Sequence, residues 1–223
     1  MTNRTALIAG ATGLVGGHCL KLLLKEPAYR RVIAIARRPL DAGHPRLTVI
    51  IRDFATLDGV DFAGVTDVFC SLGSTIRKAG SREAFRQIDS GYPVAIAEKA
   101  IAAGANRFLV VSSVGAEPGS PNFYLRVKAG MEAAVSAFPF EAVHIFRPSF
   151  LVGERSETRV GERIGIAVAA GLEFMLVGGL KKYRAIPAAT VAAAMVAASK
   201  TATRGVHVYH WKEMTSLAPD AGL

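Results

Sequence analysis

The chain has 223 residues, of which 51% are hydrophobic, 20% charged and 8% aromatic, and it carries a formal charge of +9. That length holds one sizeable domain with a buried core, and its two cysteines, Cys19 and Cys70, are too few for a disulfide framework. The charge has two readings, a nucleic-acid footprint or a field that attracts an anionic cofactor. The basic residues are scattered and form no arm with interleaved aromatics, so the cofactor reading is favoured and no nucleic-acid partner is expected.

Strand and helix signals alternate along the chain. Residues 5–9 read as a first strand and Leu14–Lys25 as its helix. Residues 31–36, Leu47–Ile51 and Asp67–Cys70 read as the second, third and fourth strands. A helix over 82–103 ends at Gly104, which suits a helix terminus, and Pro93 inside it predicts a kink or break near Tyr92. Residues 107–112 form a fifth strand, 122–138 a helix and Ala142–Phe146 a sixth strand. Pro187 opens a helix over 188–199, and 206–209 read as a last strand. The tail after Trp211 reads as weakly structured. Near-continuous apolar strands separated by helices imply an α/β fold, a doubly wound parallel sheet with both faces covered. The expected order is 3-2-1-4-5-6, with room for a seventh strand, in one domain over 1–223.

Within this frame, Gly10-Ala-Thr-Gly-Leu-Val-Gly16 lies between the first strand and its helix. Gly10 permits a tight turn, Gly13 lets a pyrophosphate approach the backbone, and Gly16 lets helix and strand pack closely. The helix then directs free N–H groups and a positive dipole end at the phosphates. No Gly-Lys-Ser/Thr follows, which excludes a nucleotide-hydrolysing P-loop. Arg37-Arg38 follow the second strand, where an acid would bind the ribose 2′-hydroxyl of NAD and arginine accommodates the 2′-phosphate of NADP. No acid lies within 34–39, so NADP(H) is preferred over NAD(H). Asp53-Phe54, after the third strand, are placed to meet an adenine ring, although Asp53 equally suits a local cap. Cys70-Ser-Leu-Gly-Ser-Thr75 ends the fourth strand with small residues, and Ser71, Leu72, Gly73 and Thr75 are candidates to lie against a cofactor ribose.

Ser112-Ser113 end the fifth strand, and Tyr124 and Lys128 share one face of the next helix at i and i+4. Free tyrosine, with a pKa near 10, is a poor acid–base at neutral pH. A neighbouring ammonium and a positive nicotinamide ring both favour its phenolate. With a serine to hold the substrate oxygen, such a trio passes a proton while a cofactor passes a hydride.

The runs FCSLGSTIRKAGSREAF, VSSVGA, NFYLRVKAGMEAAV and FRPSFLVGER, in this order, resemble the atypical short-chain dehydrogenases/reductases of the Tat-interacting-protein (tumour-suppressor oxidoreductase) subgroup. The resemblance spans residues 5–196. It implies an NAD(P)-binding Rossmann domain, with Gly10, Thr12, Gly13, Leu14 and Val15 at the pyrophosphate and Arg37 and Arg38 at the 2′-phosphate. It implies Ser113, Tyr124 and Lys128 as the catalytic set, with Ser112 in reserve and Lys128 also bonding the nicotinamide ribose. Pro148, Ser149 and Phe150 would line the nicotinamide side. In longer sugar-nucleotide epimerases the working hydroxyl sits one position later, where this chain has Val114. The large C-terminal substrate domain of those enzymes is also lacking, so a small carbonyl or hydroxyl substrate is expected. Some relatives bind the cofactor as sensors or scaffolds without turnover, and many form homodimers.

Residues 150–186 are expected to form a substrate-side lid. The apolar stretch 164–180 holds Glu173 and four glycines and falls short of the roughly 20 residues of a membrane span; it reads as a buried helix with a mobile connection. The histidines show no metal-ligand spacing: His18 and His144 read as helix and core positions, His207 and His210 as strand residues. Met1-Thr-Asn-Arg leads straight into the first strand without a signal sequence, and both cysteines read as reduced and buried. A cytoplasmic location is therefore expected.

Overall fold

The computed structural model describes residues 4–153 and 178–218. Seven parallel strands form one sheet: β1 (Arg4–Ala9), β2 (Tyr29–Ala36), β3 (Leu47–Ile51), β4 (Asp67–Cys70), β5 (Arg107–Val111), β6 (Ala142–Phe146) and, last in sequence, β9 (Gly205–Tyr209). Their order is β3-β2-β1-β4-β5-β6-β9, so the expected order holds and the seventh strand is present. This is a Rossmann-like sheet. Its central strands are apolar on both faces because helices cover both; all four residues of β4 are buried.

On one face lie α1 (Leu14–Lys25) and α6 (Ala188–Ser199), whose buried side chains include Leu20, Leu23, Val191 and Met195. Alanine dominates α6, which lets it approach α1 closely. On the other face, α4 (Tyr92–Ala102) and α5 (Phe123–Ser136) bury Ile96, Ala97, Met131 and Val135 against Val68, Phe108, Val143 and Ile145. At the amino-terminal edge, Asp67 is fully buried. It accepts a hydrogen bond from Arg4 Nε at 2.9 Å, and Arg107 lies 3.6 Å away. These charges anchor the edge opposite the glycine loop.

One local reading needs correction, and two others gain detail. The stretch after Trp211 is a helix, α7 (Trp211–Leu217), entered through a Glu213 side chain that accepts the His210 N–H at 3.0 Å. Met214 on it is fully buried. One buried side chain and a capping acid suffice for two turns, and a low density of apolar residues conceals that in the sequence. The stretch 82–103 breaks just before Tyr92, as Pro93 predicts. A short α2 (Ile76–Ala79) precedes it; then α3 (Arg82–Arg86) passes through a π-helical turn (Gln87–Gly91) into α4. Pro93 has no N–H to offer the Asp89 carbonyl four residues back, and the ladder widens, with Tyr92 N–H bonding Gln87 O. Finally, β7 (Leu151–Val152) and β8 (Ile186–Pro187) pair as a separate two-stranded sheet. It flanks the expected lid, of which 154–177 lies outside the described residues, as does most of the 164–180 stretch. Among the described residues no helix is long and apolar enough to cross a membrane.

Candidate active site

The carboxyl ends of β1, β2 and β4 surround a cavity of about 420 Å³. Its floor is the glycine loop. Gly10 has φ +92°, and a Cβ there would stand 2.7 Å from the Ser71 carbonyl carbon. Gly16 is tighter still, since its Cβ would reach 2.0 Å from Gly10 O. Strand, loop and helix therefore interlock through contacts that only glycine allows. Gly13 donates its N–H to Gly10 O at 2.8 Å and serves as the extended cap of α1. Ser71 Oγ donates to Ala9 O at 3.1 Å, tying the β4 end to the β1 end.

Arg37 and Arg38 leave β2 exposed and line the same cavity, with Phe54, Ser71, Leu72 and Gly73 on other sides. Among the described residues no acidic one lines it. A glycine-rich floor at a helix N-terminus with two guanidinium groups at the rim suits a dinucleotide's phosphates, so these residues fit the cofactor that the sequence implied.

Thr12 also lines the cavity, whereas other candidates lie elsewhere. Val15 is buried in the core and Gly16 acts in packing, while Leu14 meets Gly153, whose Cβ would come 3.0 Å from it. Asp53 is exposed and accepts the Ala55 N–H at 2.9 Å, the local-cap reading rather than a cavity wall. Thr75 caps α2 through Lys78 N–H. Ile88 and Tyr92, which do line the cavity, were not anticipated; the Tyr92 ring lies 6.0 Å from Phe54.

A second group of side chains follows β5 and opens α5. Asn122 Oδ1 accepts the Tyr124 N–H at 2.9 Å and starts the helix. Tyr124 is half-buried, its ring 5.6 Å from that of the buried Phe85. One turn later, Lys128 is almost fully buried, and its ammonium lies 2.8 Å from Asp89 Oδ1. The other oxygen of Asp89 accepts Ser74 N–H at 2.7 Å. Asp89 thus joins Lys128 to the β4 loop that lines the cavity. Burial works against the Lys128 charge, but Asp89, with help from Tyr124, outweighs it and raises the pKa above its ordinary value. The ammonium is charged, yet it faces a carboxylate as well as the phenol.

Asp89, bound to Lys128, is another residue of this group that the sequence did not indicate. The break around it was legible from Pro93, but its link to Lys128 joins residues 39 positions apart. Ser113 is half-buried with Oγ 3.3 Å from Val114 O, whereas Ser112 is buried and its Oγ has no partner among the described residues. Val114 N–H bonds Pro148 O at 2.9 Å, which brings the β5 and β6 ends together. Pro148 is buried, Ser149 Oγ donates to Arg184 O, and Phe150 is 67% exposed.

Comparison with known proteins agrees with this geometry. Residues 10–202 match a family model described as NAD(P)H-binding. The chain is 34% identical to Protein HTATIP2 of Rattus norvegicus over 88% of its own length and 81% of the relative's. It is also 34% identical to Protein fmp52, mitochondrial, of Aspergillus clavatus, over 89% and 88%. Among solved structures, MoeE5 in complex with UDP-glucose and NAD superposes with a TM-score of 0.70 at 20% identity, covering 95% of this chain and 80% of that one. DesIV, a dTDP-glucose 4,6-dehydratase from Streptomyces venezuelae, gives 0.67 at 18% identity, covering 92% and 74%. At such identities these two structures speak for the fold.

Proposed function

The chain belongs to the NAD(P)H-binding family, as an atypical short-chain dehydrogenase/reductase akin to HTATIP2 and Fmp52, and from that premise we propose an NADPH-dependent oxidoreductase acting on a small carbonyl or hydroxyl compound. The observation that carries this reading is the glycine-floored cavity with Arg37 and Arg38 at its rim and no acid among the described residues that line it. Arginine suits a 2′-phosphate, whereas a 2′-hydroxyl would call for an acid.

Gly10 to Gly13 would hold the pyrophosphate, Arg37 and Arg38 the 2′-phosphate, and Phe54 the adenine side. When bound, NADPH supplies the hydride for the carbonyl carbon. The Tyr124 phenol delivers the proton to the carbonyl oxygen, and Ser113 Oγ donates a hydrogen bond to that oxygen. Lys128 holds a positive charge beside the phenol and would bond the nicotinamide ribose, while Asp89 fixes the ammonium and moderates its field at Tyr124. In this reading 1–223 is one domain, 150–186 closes the substrate side, and the protein works in the cytoplasm as a homodimer.

The test is NADPH oxidation at 340 nm over a panel of aldehydes, ketones and quinones, with calorimetric titration of NADPH and NADH. Turnover on part of the panel and tighter binding of NADPH are expected. Tight NADPH binding with no turnover anywhere would instead mark a redox sensor or scaffold, which needs the cradle but not Tyr124.

A further inference from the structure

Beside the candidate acid stands a cluster of positive charge. Phe123 precedes Tyr124 at the start of α5, and three guanidinium groups surround its ring. Arg82 and Arg86, one turn apart on α3, lie 5.3 and 5.5 Å from the ring centroid, and Arg126 of α5 lies 6.0 Å from it. All three arginines are exposed. Among the described residues none of them forms an ion pair within 4 Å of an acid. Glu83 is the acid that feels Arg86 and Arg82; its own backbone and Ser81 are the larger causes holding its carboxyl below the usual range.

Three like charges around one ring repel each other, and the ring's negative face offsets this only in part. Contact with the ring also orders the groups. A guanidinium lying over a ring keeps its N–H edge free, and that edge matches the two oxygens of a carboxylate or phosphate. Arg126 is pinned further, since one of its nitrogens donates to Ser120 O at 2.7 Å and Pro121 O at 2.8 Å. The cluster is also coupled to the reacting end of the site. The buried Phe85 ring lies 6.0 Å from Phe123 and 5.6 Å from Tyr124, so the Phe85 and Phe123 rings link the phenol to the arginines.

We propose that Arg82, Arg86 and Arg126, gathered on Phe123, form an anion subsite for a carbonyl substrate that carries a carboxylate or phosphate at the end away from its reacting carbon. This rests on the reading that Tyr124 serves as the proton donor. The subsite is distinct from the Arg37–Arg38 rim, which belongs to another wall and would be engaged by the cofactor. It sets specificity by uniform binding, lowering KM for anionic substrates without assisting the proton transfer.

Three probes differing in one substituent test it: benzaldehyde, 4-carboxybenzaldehyde and 4-formylphenyl phosphate, assayed with NADPH. The wild type should show at least tenfold lower KM for one or both anionic aldehydes than for benzaldehyde, and the better anion names the group. Arg82→Gln/Arg86→Gln/Arg126→Gln should raise the anionic KM values at least tenfold, leaving kcat and the benzaldehyde KM within twofold. Matched thermal melts exclude misfolding as the cause. Equal KM values for charged and neutral aldehydes, or a triple variant that keeps the anion preference, would overturn the subsite. Calorimetric titration of the NADP⁺-loaded protein with the same three probes separates this idea from the proposed activity. If binding of an anionic aldehyde depends on the arginines while no compound of the wider panel is turned over, the arginines bind anions but the oxidoreductase reading falls. If no arginine-dependent binding is seen, the subsite falls.

Discussion

The two walls of the site are made in different ways. The proposed cofactor cradle is made from backbone: Gly10 and Gly16 meet one another and Ser71 at separations that exclude a Cβ, and Gly13 closes the turn through its N–H to Gly10 O. Its shape is fixed within seven consecutive residues and by one neighbouring strand. The catalytic wall is made from side chains: Tyr124 rests on Phe85, and Lys128 is held by Asp89 from a π-helical turn in a different segment. A backbone cradle tolerates no added atom. A side-chain wall tolerates substitution in shape but depends on charge balance, because a buried ammonium that loses its carboxylate has no water to replace it.

This contrast predicts graded responses. The largest belongs to the cradle. Gly16→Val forces atoms into Gly10 O, and NADPH affinity should fall more than 100-fold in calorimetry, with a loss of about 1–3 kcal/mol in stability from overpacking. Unchanged affinity would remove the distinction between the two walls. Next comes the buried pair. Asp89→Ala should lower stability in urea titration by about 3 kcal/mol, whereas Asp89→Ala/Lys128→Met should recover most of that, since removing both charges leaves neither stranded. Additive losses would show that the pair is not coupled. A smaller effect is expected at the rim, where Arg37→Ala/Arg38→Ala should weaken NADPH about 30-fold, or about 2 kcal/mol for lost charged hydrogen bonds. NADH affinity should move less than twofold. Equal losses for both cofactors would mean that these arginines do not distinguish them.

The smallest effect lies outside both walls and serves as a control. His144 on β6 is fully buried beside Tyr209, and burial, then His207 and Arg107, lower its pKa from 6.5 to about 4. Between those values the unfolded chain binds the extra proton and the folded chain does not, so stability falls as pH drops from about 6.5 toward about 4. His144→Phe should flatten that slope in melts across this range while leaving NADPH affinity unchanged. A slope that persists in the variant would locate the acid sensitivity elsewhere.

What the sequence disclosed follows the same division. Strand order, the glycine loop and the Arg37–Arg38 rim were legible because each rests on local spacing: apolar runs for strands, three glycines for a turn, a pair of charges at a strand end. The bounds of α1, β3, β4, β6 and α6 followed from sharp changes in polarity or from a proline at the start. Asp53 had two readings in the sequence, since an acid after a strand caps its own turn as readily as it meets a ligand, and its side chain makes the local cap. Asp89 and Phe85 were not legible as site residues, because nothing near them in sequence indicates Lys128 or Tyr124. The helix after Trp211 was missed for a related reason. Its anchoring contact, Met214, acquires meaning only once the sheet supplies a surface to cover.

The central claim is that the cradle binds and the phenol reacts, as separable functions of two walls. Tyr124→Phe tests it most directly when NADPH affinity by calorimetry and NADPH oxidation at 340 nm are measured on the same preparation. The account predicts affinity within twofold of wild type and turnover reduced about 10²–10⁴-fold, the range for a lost general acid. Full turnover in the phenylalanine variant, or a parallel loss of affinity and turnover, would contradict it.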